Sequence, residues 1–104
     1  MERLIQELQK TILALEKLSE SSLPQAEQID ELLDQLFQQK IDLLNVSLNT
    51  SSNAFQQVVQ AMTQAAAKAG RAVKDHGQVG GMIPVVSDAI SKLARLLDQV
   101  ISID

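Results

Sequence analysis

The amino-acid sequence predicts an all-α fold, an antiparallel bundle of three to four helices. Three observations lead there. The 104-residue chain is 45% hydrophobic, yet it has no Trp, Tyr or Cys and only two Phe, Phe37 and Phe55. Leu, Ile, Val and Ala therefore carry the burial, which suits helical bundles better than strands, where aromatic and β-branched residues prevail. Apolar residues recur at spacings of three and four along most of the chain, the period of one helical face. The four Gly and two Pro are few enough to leave long uninterrupted helical segments. The length fits a single helical domain over residues 1–104.

The first helix is expected over about 1–20. Leu4, Leu8, Thr11, Leu15 and Leu18 form a heptad-like stripe, which Ile5 and Ile12 widen. Glu2, Glu7, Lys10, Glu16 and Lys17 are expected off that stripe. The stretch Glu20-Ser21-Ser22-Leu23-Pro24 breaks the pattern. Pro disfavours helical geometry in the residue before it and suits a first helical position, so the second helix is expected to open at Pro24. Glu27, Asp30 and Glu31 follow near the positive end of its dipole.

That second helix is expected over about 24–48, on a main apolar row of Ile29, Leu33, Phe37, Ile41, Leu44 and Leu48. Leu32, Leu36 and Leu43 widen the row. A third helix is expected over about 53–76, with Asn53 and Gln56 spaced as a weak capping box. The three-and-four spacing also continues across the join, through Ser52 to Phe55, Val59, Met62, Ala66, Ala69 and Val73. The alternative is therefore one long helix over 24–76, a rod of roughly 75 Å at 1.5 Å rise per residue. Against the rod stand the Asn, Ser and Thr residues between Asn45 and Asn53, whose side chains compete for backbone hydrogen bonds.

Lys68, Arg71 and Lys74 suit the negative end of a helix dipole, and Gly77 is the expected left-handed residue after it. Residues 77–84 read as a loop. Pro84 is expected to open the last helix, over about 84–102. Its apolar positions are Val86, Ala89, Ile90, Leu93, Leu96, Leu97, Val100, Ile101 and Ile103, and Asp88 with Lys92 forms an i,i+4 ion pair on the polar side.

Charge and composition narrow the function. The net charge is −4, with an isoelectric point near 4.8. Nucleic-acid binding needs a basic face to displace counterions from phosphates, and docking on anionic lipid needs one too. Without Cys there is no disulfide, thiolate nucleophile or Cys-based metal site. Charges interrupt the N-terminal stretch expected of a signal peptide, and no run approaches about 18 apolar residues. The cytoplasm is the expected location, with export by a signal-independent machine left open.

Four constellations could carry chemistry, and each has a plainer structural reading. His76 is the single histidine, beside Asp75; one His without Cys makes no zinc site, and a helix C-terminal position explains it. Glu27, Asp30, Glu31 and Asp34 share one helical side. Di-metal carboxylate bundles also need Glu-x-x-His pairs, which are absent here, so a solvated acidic face is expected. Gly77, Gly80 and Gly81 lack the Lys-Ser/Thr ending of a phosphate loop. Lys68, Arg71 and Lys74 lack the interleaved aromatics of a nucleic-acid patch. No catalytic residue, cofactor or metal is expected.

The segment from Asn45 to Ala67 has no charge at all. Neutral polar groups cost less to desolvate than charges, so such a face suits helix–helix contact. The expected interaction surface is Phe55, Val58, Val59, Met62, Ala66, Ala69 and Val73. A low-charge helix packed within its own bundle explains the same pattern. The expected function is a non-enzymatic helical interaction module that self-associates or binds another protein's helix, with neither nucleic acid nor membrane as partner. Two alternatives remain. In composition the chain resembles the small, Gln/Ser-rich, Cys-free helical subunits and chaperones of bacterial secretion apparatus, a likeness that covers no motif. The uncharged segment would also suit a peripheral membrane protein.

Overall fold

Four helices share one core in the computed structural model, which describes residues 1–101. They are α1 (Glu2–Ser19), α2 (Ala26–Leu44), α3 (Asn53–Lys74) and α4 (Val79–Ile101), with one 3-10 turn, His76–Gln78, between α3 and α4. No strand occurs among the described residues. The expected end of the last helix near 102 and the apolar position Ile103 lie outside them.

Each boundary has a local cause. After α1, the Ala26 amide donates to the Leu23 carbonyl at 3.2 Å, closing a turn with Pro24 at its second position. Pro24 thus shapes the turn, and α2 begins two residues later than expected. At the end of α2, Asn45 donates from its side chain to the Ile41 carbonyl at 2.8 Å and from its amide to the Asp42 carbonyl at 3.1 Å. The Asn49 side chain then accepts from the Ser51 amide at 3.0 Å. The Ser52 side chain caps α3 by accepting from the Phe55 amide at 3.1 Å. These local bonds satisfy the backbone groups that a continuous helix would otherwise pair. The long rod over 24–76 is not formed, and the cap is Ser52 rather than Asn53.

The start of α4 corrects the sequence reading more substantially. The helix begins at Val79 and carries Pro84 inside it. Gly77 is not left-handed, since no glycine has a positive φ. Instead, Asp75 takes an extended conformation (φ −144°) that ends α3. Its carboxylate accepts from the Gly77 amide at 3.1 Å, opening the next turn. A Cβ on residue 77 would sit 3.2 Å from that oxygen, so Gly permits the close cap. Val79 and Met82 are fully buried and extend the Val86 and Leu93 stripe backwards. Pro84 deprives the Gly80 carbonyl of its helical donor. Both residues face solvent, where water can take that donor's place.

The Ser19 hydroxyl donates to the Asp30 carboxylate at 2.8 Å, and Lys40 donates to the Gln9 side chain at 2.6 Å. These bonds fix α1 and α2 as antiparallel neighbours. Thr11 of α1 reaches the Met62 sulfur of α3 at 3.9 Å. Lys17 lies beside Lys74, and Arg3 beside Gln56 and Gln60, so α1 and α3 run parallel. Among the described residues α1 touches α2 and α3, α4 touches α3 and α2, and the pairs α1/α4 and α2/α3 are diagonal. The 45–52 segment thus crosses one end of the bundle diagonally, and Val46 and Leu48 pack on the core as it does so. Successive helices are antiparallel, while the crossover makes α1 and α3 parallel neighbours. The bundle measures 43 × 21 × 19 Å.

The core is aliphatic: Leu4, Leu8, Ile12, Leu15, Ile29, Leu36, Leu43, Met62, Met82 and Leu93 are all essentially without exposure. Three polar residues join it. Thr11 returns its hydroxyl to the Glu7 carbonyl at 2.8 Å. Glu7, expected off the stripe, is also buried, and Lys10 reaches its carboxylate at 3.3 Å. It sits on the α3-facing side of α1, which the sequence-level stripe left too narrow. Gln39 donates to the Ile90 carbonyl of α4 at 2.9 Å.

Candidate protein interaction site

The polar side chains expected to matter least chemically are spread over the surface. His76 is exposed in its 3-10 turn, and Glu27, Asp30, Glu31 and Asp34 are exposed along α2. Among the described residues no three His, Asp or Glu side chains converge as metal ligands. Lys68, Arg71 and Lys74 are exposed at the end of α3. Gly80 and Gly81 lie in the first turn of α4, and Asp88 pairs with Lys92 at 3.1 Å.

The surface feature that stands out is apolar. Among the described residues four large hydrophobic side chains are exposed: Leu13 at 50%, Phe37 at 42%, Ile41 at 54% and Leu44 at 64%. The last three are spaced by four and three, so they form one stripe along the second half of α2. The sequence row that contains them was expected to face the core. Instead α2 buries Ile29, Leu32, Leu33, Leu36, Gln39 and Leu43. The reason is tertiary. Only α1 and α4 flank α2, so its broad apolar surface exceeds what two neighbours cover. Lys40 and Gln39 mark the sides turned toward α1 and α4, and Phe37, Ile41 and Leu44 fall outside that arc. Asp30 and Asp34 continue the same outer row toward the helix start.

The expected interaction surface divides in two. Phe55, Val58, Met62 and Ala69 are buried in the bundle's own core. Val59, Ala66 and Val73 are half-buried. Together with Thr63 and Gly70, also half-buried, they make a row spaced four, three, four, three along α3. Along the shallow groove between the parallel helices α1 and α3 lie two hollows; this row gives Gly70 and Val73 to one and Val59 and Thr63 to the other, with Ala66 between them. The groove's upper part, about 300 Å³, has Leu13, Ala14, Gly70 and Val73 with Lys10, Lys17 and Lys74 at the rim. Its lower part, about 410 Å³, is uncharged apart from Arg3 and includes Val59 and Thr63 among glutamines. The Thr63 hydroxyl is satisfied by the Val59 carbonyl at 2.8 Å, so it presents its methyl side at little desolvation cost. A smaller cleft of about 170 Å³ lies between the start of α3 and the end of α4, at Ala54 and Arg95.

The arrangement offers two elongated helical surfaces, one apolar and convex, the other concave. Sequence reasoning found half of the groove wall and missed the α2 stripe. The clue to the stripe was the excess width of α2's apolar pattern, which two helix neighbours cannot cover. Among the described residues no helix is long and apolar enough to cross a membrane. No protein-family model, curated protein or solved structure matches this chain.

Proposed function

We propose that this protein is a non-enzymatic helical assembly module that associates with further copies of itself. One observation carries the reading: Phe37, Ile41 and Leu44 stand exposed in a row on α2, while the core of the bundle is complete without them. Burying a large apolar side chain stabilises by about 1.5–3 kcal/mol, so covering three half-exposed ones is worth roughly 3 kcal/mol. Contiguous exposed apolar rows of this kind mark interaction surfaces. A membrane is the less suitable occupant, because Glu27, Asp30, Glu31 and Asp34 lie on the same helix and are repelled by anionic lipid.

The test is sedimentation velocity on the purified chain over a concentration series, beside the variant Phe37→Ser/Ile41→Ser/Leu44→Ser. The wild-type mass is expected to rise with concentration and the variant to stay monomeric with its helicity intact. A wild-type chain that remains monomeric up to about 1 mM, an affinity range too weak for specific association, overturns the proposal.

A further inference from the structure

The two helical surfaces match each other in length, charge and apolar order. On α2 the acidic side chains come first, with Glu27, Asp30 and Asp34 exposed, and the apolar ones last, with Phe37, Ile41 and Leu44 exposed. In the α1–α3 groove Lys17 and Lys74 line one end, and Lys10, which pairs with Glu7, lines the same hollow nearer the middle. The other end is lined by Val59 and Thr63 among neutral glutamines, with Arg3 as its one charge. At 1.5 Å per residue the α2 surface from Glu27 to Leu44 runs roughly 25 Å, and the groove from Arg3 to Lys17 roughly 21 Å.

We infer that the α2 stripe of one copy docks into the α1–α3 groove of a second copy, antiparallel to both groove helices. In that orientation, with Phe37 over Gly70, the spacing of the two rows puts Asp34 at Val73 and Lys74, Ile41 over Ala66 and Leu44 over Thr63, where the neutral end begins. Gly70 deepens the groove, since a Cβ built there meets nothing within 4 Å. The inference rests on the self-association proposed above and specifies its geometry. Within one copy, α2 lies across the bundle from α3 and away from the groove, so the groove cannot be filled by its own α2. Docking is therefore between copies. Each copy offers one stripe and one groove, so two copies that exchange stripes reciprocally close as a two-fold dimer, and one-way exchange repeats into a ring or an open filament.

The experiment is a charge-swap series followed by sedimentation velocity, with circular dichroism to confirm that each variant keeps its helicity. The groove variant is Lys17→Glu/Lys74→Glu and the helix variant is Asp34→Lys, which leaves the Asp30 bond to Ser19 in place. Like charges juxtaposed across an interface weaken it strongly, so each variant alone is expected to associate at least about tenfold more weakly than wild type. An equimolar mixture of the two is expected to recover association, because both kinds of contact between unlike variants pair opposite charges, Asp with Lys and Lys with Glu. Gly70→Leu, at a site where a Cβ meets nothing within 4 Å, is expected to fill the groove and lose association while staying folded. If wild type associates but Gly70→Leu and the groove variant associate equally well, the groove docking is overturned and self-association stands. If wild type itself stays monomeric, both are overturned. A mixture that fails to recover while both variants remain helical also overturns the groove docking.

Discussion

Among the described residues Gln39 is the core position that holds an incompletely satisfied polar group, and replacing it is expected to stabilise the protein. Its side chain is 6% exposed. The amide nitrogen donates to the Ile90 carbonyl at 2.9 Å, but the amide oxygen finds no partner among the described residues. A buried acceptor without a hydrogen bond costs about 1–3 kcal/mol, whereas the one bond the amide makes returns about 1 kcal/mol. The Ile90 carbonyl loses little when the amide is removed, because inside α4 its helical partner is the Ala94 amide. Met has nearly the same length and shape without the polar atoms. Gln39→Met is therefore expected to raise stability by about 1 kcal/mol, or about 4–8 °C in Tm for a chain of this size. Gln39→Glu is expected to lower it by about 3 kcal/mol or more, since it would bury an acceptor or a charge against a carbonyl. Urea unfolding followed by circular dichroism measures both, with an unchanged m-value as the check on two-state behaviour. A Gln39→Met protein less stable than wild type by 1 kcal/mol, at constant m, would refute the reasoning. The amide oxygen would then be satisfied, and the link from α2 to α4 would be a net stabiliser.

Adjacent residues on α2 provide a second test. Leu36→Ala, at a position with no exposure, is expected to cost about 2–5 kcal/mol, and Phe37→Ala under about 1 kcal/mol in the monomer; equal losses in urea unfolding would contradict the placement of Phe37 on the outer face. Removing a cap by Ser52→Ala or Asp75→Ala is expected to cost about 1 kcal/mol each, seen as a fall in the urea midpoint. Gly81→Ala, at a helical site with free space around a Cβ, is expected to gain about 0.4–1 kcal/mol. Gly77→Ala crowds the Asp75 carboxylate and is expected to lose stability in the same assay.

The helical class, a count of three to four helices and most of the core could be read from the sequence, because the three-and-four period and the residue types are local properties. Leu4, Leu8, Leu15 and Leu18 needed no knowledge of a partner to be placed inward, whereas the Asn and Ser residues around 45–52 favoured a turn by their hydrogen-bonding habits without deciding it against a continuous helix. Pro84 misled for a local reason as well. Its usual place is a first helical position, yet the Asp75 cap and the burial of Val79 and Met82 outweighed that preference. What no local rule contains is which arc of each helix meets a neighbour. Every helix of the bundle has two neighbours, but α2 packs least extensively against its own, so Phe37, Ile41 and Leu44 stay outward while Gln39 is drawn in. The diagonal crossover placed α1 beside α3 in parallel and so created the groove. Periodicity fixes an apolar face only to within its own width, and on a face this wide the choice of the buried half belongs to the packing of the whole bundle.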